Sequence, residues 1–238
     1  MNKLFHRICL YSILSITVSI AVLAQQPAQP STDRLRSHVK YLASDELEGR
    51  RTGTPGAQRA AQYIAEEFKR LGLRPAMKKA GATNEKGKSG YLQPFPYVPR
   101  ELAKENVHGV HGVAPVHPAV EARSSTNSSP LTAWNVVGIL EGSDPLLKNE
   151  AIIIGAHYDH LGRGGSGSLA QREGGIHHGA DDNASGVAGI IELARTLTTQ
   201  RPKPRRTIVF IAFSGEEEGL LGSDYYVNHP VVPIASTV

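Results

Sequence analysis

The chain has 238 residues, of which 40% are hydrophobic, 20% charged and 6% aromatic, and its mean hydropathy is -0.25. These values exclude a disordered, collagenous or polytopic membrane chain and fit one globular domain of moderate size, while the unpatterned scatter of 24 glycines and 15 prolines suits a loop-rich enzyme. A formal charge of +4 without any long basic run makes no case for nucleic acid as a partner.

The first 24 residues read as a signal peptide. Lys3 and Arg7 make a positive start, Ile8 to Leu23 is an apolar run, and Val22-Leu23-Ala24 before Gln25 forms a small-residue cleavage site. A retained anchor is the competing reading, because the run approaches the lower limit for crossing a bilayer. Ser12, Ser15, Thr17 and Ser19 dilute it, which favours export to the periplasm or the exterior with no stable membrane insertion afterwards. Cleavage would remove Lys3 and Arg7, lowering the formal charge to +2, and also Cys9, the only cysteine. A mature chain without thiols has no disulfide, no zinc-thiolate site and no cysteine nucleophile.

Residues 25–34 read as a linker, rich in Gln, Pro and Ala up to Pro30, and a single domain is expected over 35–238. Ser31-Thr32-Asp33 offers a cap for a first helix with Leu35, Val39 and Leu42 on one face, reaching about Ala43. Thr54 and Pro55 supply a cap and a first-turn proline for a second helix with Ala60, Ile64, Phe68 and Leu71 along one stripe, stopped by Gly72. Residues 78–90 are rich in Lys, Gly and Asn and 123–130 in Ser, so the stretch between them is expected to be mostly loop. His108, His111 and His117 lie there without acidic partners and read as surface histidines. The roughly forty residues from Tyr91 to Trp134 are too few for an inserted domain with its own core.

Beyond Trp134 short apolar runs alternate with helical patterns. Strands are predicted over Trp134 to Leu140, Ala151 to Ala156 and Thr207 to Phe213. A helix after Asn183 carries Val187, Ile190, Ile191, Ala194 and Leu197 up to Arg201-Pro202, and another covers Gly219 to Val227. This order implies an α/β fold of three layers, α/β/α, around a mostly parallel mixed sheet covered on both faces. Ligands of such sheets bind beyond the carboxyl ends of the strands.

Three loops at those ends carry chemistry: His157-Tyr158-Asp159-His160, Gly179-Ala180-Asp181-Asp182-Asn183 and Gly215-Glu216-Glu217-Glu218-Gly219. Each alone is weak, since His-x-Asp is often a loop pair, Asp-Asp a cap and a run of glutamates a solvated helix start. Together they offer imidazole and carboxylate without thiol, the ligand set of hydrolytic zinc sites.

These loops, with Ala184-Ser185-Gly186 and Leu220-Leu221-Gly222-Ser223 following them, resemble the di-zinc exopeptidases of metallopeptidase family 28. Leu42 to Arg50, Asn135-Val136-Val137-Gly138 and Tyr225 to Pro230 resemble its exported bacterial aminopeptidases. The resemblance implies a zinc-exopeptidase fold, two Zn2+ ions and peptide substrates. It implies that His157 ligates one metal, Glu217 the other, and Asp182 bridges both, with a cis peptide between Asp182 and Asn183. Asp159 would orient the His157 ring, and Glu216 would act as general base, moving a proton from the attacking water to the leaving amine. His160 and His178 could tune substrate binding or merely pack, Asp181 is expected to support its turn, and Glu218 has no assigned role.

The family's site has five protein ligands, and the remaining aspartate and histidine have no counterpart in this sequence. Asp224 and His229 fall at positions outside the family's metal shell. The resemblance therefore implies a domain incomplete at its C-terminus, with the fragment itself inactive. Two other functions share the scaffold: a glutaminyl-cyclase-like zinc acyltransferase, and a non-catalytic exported binding module.

Overall fold

A computed structural model of the protein describes residues 28–77, 90–99, 131–164, 168 and 174–238. The signal segment and His108, His111 and His117 lie outside the described residues, as does most of the stretch in which no inserted domain is expected. Among the described residues no helix is long and apolar enough to cross a membrane.

The first helix, α1, spans Thr32–Leu42, and the Ser31 side chain accepts from the Arg34 amide at its start. A 3-10 turn, Asp45–Leu47, leads to α2, Pro55–Arg70, whose first turn is capped by Thr54 and opened by Pro55 as the spacing predicts. Its stripe of Ala57, Ala60, Ala61, Ile64 and Phe68 is buried, and Gly72 ends the helix with φ at +75°. Short β1, Arg74–Pro75, follows.

Next come β2, Leu92–Tyr97, and β3, Leu131–Leu140. Then β4, Ala151–His157, leads to a π-turn, Ala180–Ser185, and α3, Gly186–Thr199. Strand β5, Thr207–Phe213, and helix α4, Leu221–Asn228, complete the elements that bear on the site.

The sheet is mixed, in the order β1-β3-β5-β4, with β2 also on β3. Strands β4 and β5 run parallel in register from Ala151 opposite Thr207 to His157 opposite Phe213, whereas β3 pairs antiparallel with β1, β2 and β5. Beyond Ala151, Thr237 makes a parallel bridge and the Val238 amide donates to the Ala151 carbonyl at 3.0 Å.

The period-2 alternation of β3 and β5 splits the core in two. Val136 and Leu140 with Ile208, Phe210 and Ala212 face α1, α2 and α3. Val137 and Ile139 with Val209 and Ile211 face Tyr226 of α4 on the other side. Both faces are thereby covered, which explains why these strands are apolar throughout instead of alternating. Gly138 lets α2 and the segment after it pack close on the sheet: a Cβ there would lie 2.8 Å from side-chain atoms of both Phe68 and Leu73.

Strand β2 is a departure from the expected loop. Gln93, Phe95 and Tyr97 are buried while Pro94 and Pro96 face outward. The Val137 amide donates to the Tyr91 carbonyl, so odd positions carry the ladder bonds and the two prolines sit where no donor to β3 is needed.

Candidate metal centre

Parallel pairing of β4 and β5 brings two of the three candidate loops side by side. The Tyr158 amide donates to the Phe213 carbonyl at 2.8 Å, so the chain leaves both strands at the same level. After β5 it turns sharply. Gly215 has φ at +76°, and the amides of Gly222 and Leu221 donate to the carbonyls of Ser214 and Gly215, each at 2.9 Å. Buried Asn135 of β3 holds this turn from beneath, accepting from the Ser214 amide at 3.2 Å and donating to the Gly222 carbonyl at 2.8 Å. A Cβ on Gly222 would stand 2.2 Å from the Ser214 carbonyl oxygen, so only glycine lets α4 start this close to the turn.

The third loop approaches from the α3 side. His157 Nε2 lies 3.0 Å from Asp182 Oδ1. His160 Nδ1 lies 2.6 Å from Glu217 Oε1, and ligand atoms of His160, Asp182 and Glu217 fall within 4.8 Å of one another. Asp182 therefore stands between His157 on one side and Glu217 with His160 on the other. The Asp182 side chain is 65% exposed, while those of His157 and His160 are 12% exposed, so the carboxylate points into open space above half-buried imidazoles. The peptide between Asp182 and Asn183 is cis. Imidazole and carboxylate converging on one carboxylate is the donor chemistry that zinc takes, so the residues fit the metal.

Asp159 differs from its expected role. His157 Nδ1 is 3.2 Å from the Asp159 carbonyl oxygen and 3.7 Å from its carboxylate. The fully buried carboxylate accepts instead from Thr52 Oγ1 at 2.9 Å, the Glu216 amide at 3.2 Å and the Glu217 amide at 3.4 Å. It thus fixes the backbone that presents both glutamates while lying beside the imidazole. Burial works to lower the His157 pKa, but the nearby Asp159, Glu216 and Asp182 outweigh it and raise the value to about 9.

Glu216 is held above the usual carboxylate range, chiefly by burial, with Glu217, Asp159 and Asp182 adding to the effect and His157 opposing it. A cleft of about 280 Å3 opens beside it, lined by His157, Asn183, Ser214 and Glu216 together with apolar Phe213 and Leu220. Of the remaining acids and histidines, Glu218 pairs with Arg51 at 3.0 Å and His178 with Asp45 at 2.7 Å, both away from the convergence on Asp182. Asp181 lends its carbonyl to the Ser185 hydroxyl at 2.7 Å within the turn.

Two contributors escaped the sequence reading. Thr52 donates to Asp159 and accepts from the Gly215 amide at 3.0 Å, and fully buried Arg50 hydrogen-bonds four main-chain carbonyls around the loops. The signal available was the Leu42 to Arg50 motif, which matched exported relatives without showing where it lay in space.

Histidine and carboxylates thus converge at the carboxyl ends of a mixed sheet, with a spare glutamate beside them. Residues 135–238, the segment carrying every candidate metal ligand and the candidate base, match the model of Peptidase family M28. Leucine aminopeptidase 2 of Trichophyton rubrum is 36% identical over 97 residues, which cover 41% of this chain and 16% of that protein. An uncharacterized Escherichia coli protein, YfbL, is 38% identical over 103 residues, 43% of this chain and 29% of that one. The chain thus spans less than a third of the length of these curated relatives.

Among solved structures, a Zn-dependent exopeptidase from Parabacteroides distasonis superposes with a TM-score of 0.56 at 19% identity, covering 87% of this chain and 59% of that one. A glutaminyl cyclase from Bacteroides thetaiotaomicron gives 0.57 at 18% identity, with 89% and 61% covered. These likenesses establish the fold.

Proposed function

We propose that the intact protein is an exported, zinc-dependent exopeptidase, an aminopeptidase that removes N-terminal residues from peptides. The observation that carries this reading is the convergence on Asp182 of a histidine at the end of β4 and a glutamate from the turn after β5, with a second glutamate next to it in the same turn. His157 with Asp182 would hold one ion and Glu217 with Asp182 the other. Zinc held by these residues would supply Lewis acidity for peptide hydrolysis.

The protein's own part is proton handling and placement. Glu216 takes a proton from the attacking water as its oxygen bonds to the carbonyl carbon. It returns the proton to the amine nitrogen as the carbon–nitrogen bond breaks. Its raised proton affinity suits a group that must first accept and then release within one turnover. The backbone bonds from Asp159 keep Glu216 and Glu217 in fixed relation, so base and ligand do not exchange places. The aminopeptidase choice rests on the resemblance to exported family members. Export itself is proposed from the leader, with Gln25 as the expected mature N-terminus.

The test uses the full gene product with aminoacyl-anilide substrates, with and without a chelator. Glu216→Gln should lower kcat by about 100-fold or more while leaving two zinc ions per chain, since proton transfer contributes on that scale. Activity equal to the parent's would eliminate Glu216 as the base. One ion per chain, with cyclisation of N-terminal glutamine instead of hydrolysis, would transfer the assignment to the glutaminyl-cyclase chemistry.

A further inference from the structure

Arg50 is the one arginine in the described core with no exposed surface, and no step assigned to the site uses it. It sits at φ +50° after Gly49, in a bend that ends the 3-10 turn behind α1. Its guanidinium is spent entirely on main-chain oxygens. Nε donates to the Tyr158 carbonyl at 2.7 Å, Nη1 to the His178 carbonyl at 2.7 Å and to the Leu42 carbonyl, and Nη2 to the Gly179 carbonyl at 2.9 Å. Tyr158 lies between His157 and Asp159. His178 and Gly179 lead into the turn that carries Asp182, where the Ala184 amide also reaches the Gly179 carbonyl at 3.1 Å. Leu42 is the last residue of α1, so its carbonyl is one that the helix leaves unsatisfied.

The main chain of the same segment joins in. The Arg50 carbonyl accepts from the His160 amide at 3.3 Å, and the Gly49 carbonyl from the Gly162 amide at 3.1 Å. The fit is close: a Cβ on Gly49 would stand 2.5 Å from the carbonyl oxygens of both Gly162 and His177.

We propose that Arg50 is a positioning residue: it sets the distance between the loop bearing His157 and the loop bearing Asp182, and so pre-forms the metal pair. A main-chain hydrogen bond from the His177 amide to the Gly162 carbonyl at 2.8 Å joins those two loops five residues from both His157 and Asp182, and Arg50 bridges them nearer the ligands. A planar fork with five donors reaches carbonyls on both at once, whereas a lysine ammonium offers three donors from a single point and cannot span them. Burial lowers the Arg50 pKa, opposed by Asp159 and Asp182, but only to about 10, so the guanidinium stays charged at neutral pH. The inference rests on the functional reading above in taking His157 and Asp182 as partners around metal.

Cobalt(II) is the probe, titrated into the full gene product, with visible absorption reporting ligand geometry and near-ultraviolet circular dichroism reporting the fold. Arg50→Ala should remain folded, bind cobalt about tenfold or more weakly and show an altered spectrum at saturation, as losses of groups that orient ligands do. Arg50→Lys should recover part of the affinity without the parent spectrum. Arg205→Ala, whose side chain pairs with Asp144 at the far end of β5, serves as control and should match the parent. A folded Arg50→Ala protein with the parent's affinity and spectrum overturns the proposal. Should Arg50→Ala unfold, Arg50→Lys decides on the same criteria. Loss of fold in both also overturns it, by making Arg50 a residue of the core alone. A parent that binds no cobalt overturns the functional reading and this proposal together. A parent that binds cobalt, loses it in His157→Ala and is unaffected at Arg50 overturns this proposal only.

Discussion

Replacing Asp159 by Asn removes one acceptor and adds a donor at a side chain with no exposed surface. Oδ1 accepts from the Glu216 amide, and Oδ2 accepts from Thr52 Oγ1 and the Glu217 amide. An asparagine must point its NH2 at one of these two groups. Turned toward Oδ2 it faces the Thr52 hydroxyl, which can reorient to accept, and strands the Glu217 amide. Turned toward Oδ1 it strands the Glu216 amide. Either way one buried donor goes unpaired, at about 1–3 kcal/mol, and the surviving bonds lose the reinforcement of a charged acceptor, so the total cost should be about 2–4 kcal/mol. Urea unfolding of metal-free parent and Asp159→Asn measures the difference directly. Zinc affinity should fall as well, by about 10- to 100-fold, because the turn presenting Glu217 loosens and the charge beside His157 is lost. Stability within about 0.5 kcal/mol of the parent, a change ordinary for a surface site, would refute the view that Asp159 anchors the β5 turn.

Two further outcomes concern the scaffold. Glu192 of α3 is buried and paired with Arg195 and Arg34, both at 2.8 Å. Burial alone would raise its pKa, but these bonds and the Ser31 amide overcome it and bring the value from about 4.5 to about 2. A folded-state pKa below the unfolded one gives stability that is complete above about pH 4.5 and is lost as pH falls toward 2. Allowing for the solvent around Arg34, the contribution is about 1–3 kcal/mol. The stability gap between parent and Glu192→Gln should therefore close across that window, and a gap independent of pH would contradict the assignment. Gly56→Ala should cost about 1–3 kcal/mol, because a Cβ would lie 2.0 Å from the Leu47 carbonyl oxygen, whereas Gly189→Ala meets nothing within 4 Å and should stabilise by about 0.5–1 kcal/mol. Thermal melts of the pair should therefore shift in opposite directions.

The helices and inner strands were legible because one physical signal dominated each. Ser31, Thr54 and Pro55 set helix starts through local hydrogen bonding and fixed φ, and those starts are observed. Continuous apolar runs at β3 and β5 reflect burial from both sides, whereas β4, equally apolar, is only partly buried at the end of the described sheet. Strand β2 was illegible because Pro94 and Pro96 read as loop, and only the register against β3 shows that their missing donors point away from the ladder. The α3 start was placed after Asn183, and the helix begins at Gly186 because a π-turn with non-helical angles at Asp182 and Asn183 comes between. That irregular turn is what directs the Asp182 carboxylate back toward His157.

The same contrast holds within the site. His157, Asp182, Glu216 and Glu217 announce themselves because their residue types have few other reasons to cluster at strand ends. Arg50 and Thr52 have no such chemical signature: an arginine and a threonine after a turn are ordinary surface residues in any composition. Their role depends on distance alone, across more than a hundred residues of chain to Tyr158, Asp159, His178 and Gly215. A group that ligates must have the right atoms, and sequence records atoms. A group that positions need only be in the right place and satisfy carbonyls that would otherwise be buried without partners. The parts of a metal centre that hold its geometry are for that reason the parts that emerge only when the chain is folded.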